Sequence, residues 1–119
     1  MHMTLDELQD LVTDFSRRRD WERFHTPKNL VLALTGEVGE LAELFQWLTP
    51  DESAALCENE QDRTKVEHEV ADVLIYLMRL ATVLDIDLAA AVTKKLEFNE
   101  ARYPADLARG RAAKYSELG

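Results

Sequence analysis

An all-α bundle of four main helices is the fold class that this 119-residue sequence predicts. Three observations carry the prediction. Only four glycines and three prolines interrupt long stretches of Leu, Ala and Glu, a composition that favours helix. Apolar residues recur at the three- and four-residue intervals of a helix face. Helix start signals recur along the chain, at Thr4, Thr26 and Thr49.

Each element follows from a local signal. TLDE has the form of a capping box, with Glu7 three residues after Thr4, and opens a first helix that runs to about Arg19. An aromatic loop follows, RDWERFHTP, holding Trp21, Phe24 and His25. Thr26 then Pro27 is an N-cap followed by a proline at the first helical position, and a second helix is expected to about Leu48. TPDE repeats the start signal and begins a short acidic helix that fades near Asn59. A third long helix covers about Asp62 to Leu84. DID breaks it and caps a fourth, which ends before Pro104 because the residue before a proline avoids helical geometry. The helical domain thus spans 4–104. The segment 105–119 reads as a polar tail, and the opening MHM as a cloning remnant.

The formal net charge is −9. So acidic a surface excludes nucleic acid and membrane partners, which need a basic patch, and suits either solubility or the collection of divalent cations. The single cysteine, Cys57, has no partner for an internal disulfide. No secretory signal or membrane-length apolar run is apparent, so a cytoplasmic protein is expected.

The acidic residues carry the functional signal. On a helical wheel of the second helix, Leu30, Leu34, Leu41, Phe45 and Leu48 form an apolar stripe. Glu37 falls inside that stripe and Glu40 at its edge. A carboxylate on a buried face is costly unless it is paired or bound to a metal. The third helix repeats the pattern, with Val66, Val70, Val73, Leu77 and Leu80 as the stripe and Glu69 and Asp72 beside it. Residues three apart are helix neighbours, so each pair can hold one face of a cation and two packed helices can close around it. Oxygen-only ligands suit Mg²⁺ or Mn²⁺. Zinc would need a Cys or His cluster, and a di-iron bundle two Glu-x-x-His units. The one such spacing, Glu22 with His25, lies in a loop. Solvation or salt bridging is the ordinary fate of a helix acid, but two matched pairs on facing stripes point to a metal. Gly36 and Gly39, beside the first pair, are expected to let a neighbouring helix or a ligand approach the backbone.

Trp47 lies seven residues after Glu40, and Tyr76 seven after Glu69. Two helical turns are roughly 10 Å, about the reach from a nucleotide's phosphates to its base, and a ring there can stack on that base. If the two helices are antiparallel, these rings project in opposite directions from the metal. One base then meets both only across subunits, and an oligomer is expected, with Trp21 and His25 completing the site. Lys95, Asn99 and Arg102 share one face of the fourth helix at i, i+4 and i+7 and are candidates for phosphate contact. No glycine-rich phosphate loop of the GKS or GKT type is present.

Together these residues resemble the MazG-like all-α nucleoside triphosphate pyrophosphohydrolases, and within them the dCTP pyrophosphatase branch. The stretches that carry the resemblance are RDWERFHTPKNLVLALTGEVGELAELFQW, EVADVLIYL and KKLEFNEARYPADLARGRAAKYSEL. The resemblance implies a four-helix MazG-like bundle whose subunits associate as a dimer or tetramer. It implies Mg²⁺ at Glu37, Glu40, Glu69 and Asp72, and nucleotide binding by Trp21, His25, Trp47 and Tyr76. It aligns Lys95, Asn99 and Arg102 with a basic C-terminal motif. A further substrate-contacting histidine of the family is replaced here by Val12. The activity implied is hydrolysis of a deoxynucleoside triphosphate, dCTP or a modified dCTP, to the monophosphate and diphosphate. One metal-site carboxylate would orient or deprotonate the attacking water, and Glu40 is the first candidate. The same scaffold acting on dUTP or another triphosphate, or serving as a non-catalytic helical module, are the alternative readings.

Overall fold

Thr4 opens the first helix as its capping box predicts. Its Oγ1 accepts from the Glu7 amide at 3.1 Å, and Glu7 Oε1 accepts from the Thr4 amide at 3.4 Å. The structure is a computed structural model that describes residues 2–112, 114 and 116. Among these it contains six helices, two short 3₁₀ turns and no strand.

α1 (Leu5–Arg18) is stopped by Asp20, whose backbone is left-handed at φ 54°. Aspartate adopts this region more readily than bulky residues. The Asp20 amide bonds to Arg17 O and the Trp21 amide to Ser16 O, both at 3.0 Å, the paired bonds of a Schellman closure. The closure delivers Trp21 to the head of a 3₁₀ turn, Glu22–Phe24. There its ring meets Phe15 edge-on at 5.7 Å and 71°.

α2 (Pro27–Phe45) starts at Thr26, whose Oγ1 accepts from the Asn29 amide at 3.2 Å. It ends earlier than the apolar periodicity suggests, so Trp47 lies beyond the helix and not within it. The cause is the next start signal. Thr49 adopts extended backbone, φ −71° and ψ 163°, to cap α3 (Pro50–Ala55), and the helix before it must unwind to reach that geometry. A 3₁₀ turn, Leu56–Glu58, leads to α4 (Glu60–Val83), capped by Asn59. Asp85, again at φ 54°, closes α4 as Asp20 closes α1, with Ile86 N to Ala81 O at 2.8 Å. One compact unit ends at Ile86 and a second begins at Asp87. The second holds α5 (Leu88–Arg102), capped by Asp87, and a single-turn helix, α6 (Ala105–Ala108), where the sequence suggests an unpatterned tail.

Within the first unit α2 packs along α4, and α1 lies against α4. Leu30 and Ala33 share a cavity with Tyr76, whereas Glu37 and Glu40 meet Glu69. Rising numbers on α2 therefore meet falling numbers on α4, and the two helices are antiparallel. Leu30, Met78 and Ala81 are the only fully buried apolar residues among those described. Between α1 and α4 an apolar groove of about 400 Å³ stays open, lined by Leu8, Leu11, Phe15, Leu74, Ile75 and Met78.

Candidate active site

The two acidic pairs converge. One carboxylate oxygen from each of Glu37, Glu40 and Glu69 lies within 4.8 Å of the others, with Glu40 the exposed member and the other two half-buried. Glu37 Oε2 and Glu69 Oε2 are buried and have no hydrogen-bond partner. Their near neighbours are other carboxylates, which bond one another only when one of them carries a proton. The electrostatics show the same strain. Desolvation pushes the Glu37 carboxyl up to about 7, with Glu40, Asp72 and Glu69 adding to the effect. Glu69 is pushed up by desolvation first and then by Glu40 and Asp72, while the neighbouring Glu37 side chain opposes. Asp72 thus stands outside the close triad but within reach of its field. Two orphaned buried oxygens among like charges are what a hard divalent cation would relieve, so this donor set fits one.

One end of the helix pair opens into a cavity of about 350 Å³ lined by Trp21, Phe24, His25, Asn29, Leu30, Ala33 and Tyr76. The structure therefore brings together Trp21, His25 and Tyr76, as the sequence predicts, and adds Phe24 and Asn29. The Asn29 side chain is pinned, its Nδ2 donating to Phe24 O at 3.0 Å. His25 Nδ1 accepts from Arg79 Nε at 3.1 Å. Desolvation first and Arg79 second hold His25 below its usual range, against an opposing pull from Glu22. Arg79 itself is only 3% exposed and is absent from the residues that the sequence pattern singles out. A signal was present: Arg79 is the one charged residue in the run Leu74–Leu84.

Other expected residues lie elsewhere. Trp47 is 87% exposed and does not line the aromatic cavity of its own chain. On antiparallel helices it leaves the acid triad in the direction opposite to Tyr76. Lys95, Asn99 and Arg102 lie on α5 in the second unit, where the Lys95 ammonium and the Arg102 guanidinium sit 4.6 and 4.7 Å from the Phe98 ring centre. Among the described residues no helix makes the close approach expected at Gly36 and Gly39, since a Cβ at either meets nothing within 4 Å. No described helix is long and apolar enough to cross a membrane.

An acid triad between antiparallel helices, opening at one end into an aromatic pocket, is the constitution of an all-helical nucleotide hydrolase. The chain belongs to the MazG-like family, whose model matches residues 33–118. It is 50% identical over 115 residues to dCTP pyrophosphatase 1 of Homo sapiens, covering 97% of this chain and 68% of that protein. The Rattus norvegicus protein of the same name is 48% identical over the same coverage. Among solved structures, a pyrophosphatase from Archaeoglobus fulgidus superposes with a TM-score of 0.78 at 43% identity, covering 87% of this chain and 95% of that one.

Proposed function

We propose that the protein hydrolyses dCTP, or a modified dCTP, to dCMP and diphosphate in a Mg²⁺-dependent reaction that clears the nucleotide pool. The observation that carries this reading is the triad of Glu37, Glu40 and Glu69, with two orphaned buried oxygens, beside an aromatic pocket of about 350 Å³. Relatives named dCTP pyrophosphatase 1, at 47–50% identity, support the choice of base. Glu37, Glu40, Glu69 and Asp72 would hold the cation, with Mn²⁺ able to replace Mg²⁺ on the same oxygen donors. When bound there, the ion supplies charge neutralisation for phosphate oxygens and acidity for water.

The chain's own residues do the rest. The bond that breaks is the phosphoanhydride between the α and β phosphates, and water supplies the new oxygen. Glu40 takes the proton from that water, because it is the exposed carboxylate of the triad and the one that solvent reaches. Trp21, Phe24 and Tyr76 enclose the base and exclude water from it. The phosphate contacts assigned to Lys95, Asn99 and Arg102 rest on their shared face of α5 and on the family resemblance.

The active form is a homo-oligomer, dimer or tetramer. With three fully buried apolar residues described and the α1/α4 groove open, one chain leaves an apolar face that a second copy would cover. Trp47, projecting away from its own pocket, completes a partner's.

Release of diphosphate from a dNTP panel with Mg²⁺ tests the activity. Glu40→Gln and Asp72→Asn are expected to lower kcat/KM by more than about a hundredfold, beyond the cost of losing an outer-shell partner. They should also weaken Mg²⁺ binding in calorimetry. Undiminished hydrolysis by both variants would overturn the assignment.

A further inference from the structure

Arg79 is a buried cation without an anion. No carboxylate among the described residues pairs with it; its side chain donates to His25 Nδ1 at 3.1 Å and to Thr13 Oγ1 at 3.3 Å. A guanidinium carries five N–H donors, so three remain beyond these two bonds. Arg79 lines a small cavity of about 60 Å³ that shares Trp21, His25 and Tyr76 with the larger aromatic pocket. Burying a charge without a counter-ion is among the costliest arrangements in a protein. Nothing in the packing of α4 requires it, since an apolar residue would continue the run on either side.

The geometry around it constrains two other groups. Guanidinium nitrogen only donates, so His25 Nδ1 must accept with its lone pair. The imidazole is then neutral, and its one proton sits on Nε2. His25 therefore offers the pocket a donor. Asn29 is fixed in the opposite sense: its Nδ2 is committed to Phe24 O, which leaves Oδ1 as an acceptor on a residue lining the same cavity. Reversing that amide would set two carbonyl oxygens against each other. The residues lining the pocket thus include one with a fixed donor, His25 Nε2, and one with a fixed acceptor, Asn29 Oδ1.

We propose that Arg79 is a positioning residue that locks His25 as an Nε2–H donor, and that His25 with Asn29 Oδ1 selects bases bearing an amino group beside an unprotonated ring nitrogen. The inference rests on the nucleotide reading of the site. Cytosine meets the pattern, its amino group donating to Asn29 and its ring nitrogen accepting from His25. Uracil and thymine present a carbonyl and a ring N–H at those places, which sets acceptor against acceptor and donor against donor. Such a mismatch strands polar groups on both sides and discriminates far better than shape. The pair separates amino from keto pyrimidines. Adenine shares the amino pattern, and its exclusion is left to the size of the pocket.

The test has two arms. In ¹⁵N NMR of the wild-type protein at pH 7.5, the His25 ring should show a protonated Nε2 and a bare Nδ1. A proton on Nδ1 would overturn the inference without any variant being made. In the second arm, kcat/KM for dCTP and dUTP is compared in wild type, Arg79→Met and Arg79→Lys. Arg79→Met should lower the dCTP preference at least tenfold, with the loss falling on KM for dCTP, and should mix the His25 tautomers. Arg79→Lys, which keeps a donor and a charge, should recover part of both. An unchanged preference in a folded Arg79→Met protein would overturn the selection role while leaving the hydrolase reading intact. A wild-type protein that releases no diphosphate from any dNTP would remove both.

Discussion

Replacing Gly36 and Gly39 by alanine separates what helix α2 needs for folding from what the site needs for turnover. Both glycines sit in the interior of a 19-residue helix, where each costs about 0.8–1.0 kcal/mol relative to alanine. A Cβ at either position meets nothing within 4 Å, so no steric loss offsets the gain. Each single variant should stabilise the protein by about 1 kcal/mol, and the double variant by about 2 kcal/mol. For a chain of this length that is roughly 4 °C of Tm per substitution. Urea unfolding followed by circular dichroism reads the change directly. Turnover should split the pair. At about 100° per residue, Gly36 lies at the outer edge of the face formed by Asn29, Ala33, Glu37 and Glu40, whereas Gly39 is turned well away from it. If substrate phosphates reach the acids through the open space at Gly36, Gly36→Ala should lower kcat/KM for dCTP by about tenfold or more, and Gly39→Ala should leave it near the wild-type value. Destabilisation by either alanine would show that protein packs on this face. Equal turnover in the two variants would refute the claim that Gly36 keeps space for substrate.

Three further outcomes follow from the same geometry. Glu37, with a folded-state pKa near 7 against an ordinary 4.5, contributes stability that is complete below pH 4.5 and is lost as pH rises through 7; in EDTA the Tm should therefore fall between pH 5 and 8. Saturating Mg²⁺ should restore it at pH 8, by about 2.7 kcal/mol at a hundred times Kd, and a Tm independent of both pH and Mg²⁺ would count against a metal at the triad. Trp47→Ala should leave Tm within the small range of surface substitutions, because the side chain is 87% exposed. It should nonetheless raise KM for dCTP about tenfold, the value of one lost stacking partner, and an unchanged KM would remove Trp47 from the site. Leu11→Asp with Leu74→Asp places charge in the α1/α4 groove and should convert the oligomer to monomer in light scattering, whereas an unaltered mass would move the interface elsewhere.

The parts of this molecule legible in the sequence are those decided locally. Thr4, Thr26, Thr49 and Asp87 each cap a helix through a bond to the residue three positions on, and a four-residue window suffices to find them. The carboxylates were legible for a different reason: an acid on an apolar stripe carries a cost that is visible before its partner is known. The end of α2 falls before Trp47, not at Leu48, because periodicity and capping conflict there. The apolar repeat continues through Leu48, but the Thr49 cap demands extended backbone, and the cap prevails. Arg79 was missed because its meaning is tertiary. Its bonding partners lie 54 and 66 residues away, on elements that no helical wheel of α4 contains.

α4 orders the whole site along one line. Glu69, Asp72, Tyr76 and Arg79 follow at intervals of three, four and three residues, which keeps them on one face over about 15 Å of helix. Antiparallel to it, α2 presents Glu40, Glu37, Ala33 and Asn29 in the matching order. Acids therefore face acids at one end, and the residues proposed to meet the base lie together at the other. In the proposed reaction a triphosphate would be read in that sequence, phosphates against the carboxylates and base against the pocket. Because the two ends share a rigid helix and no side chain, substitutions at the acid end should act on turnover, and substitutions at the Arg79 end on the choice of base. A fold that held both functions on one loop could not separate them in this way.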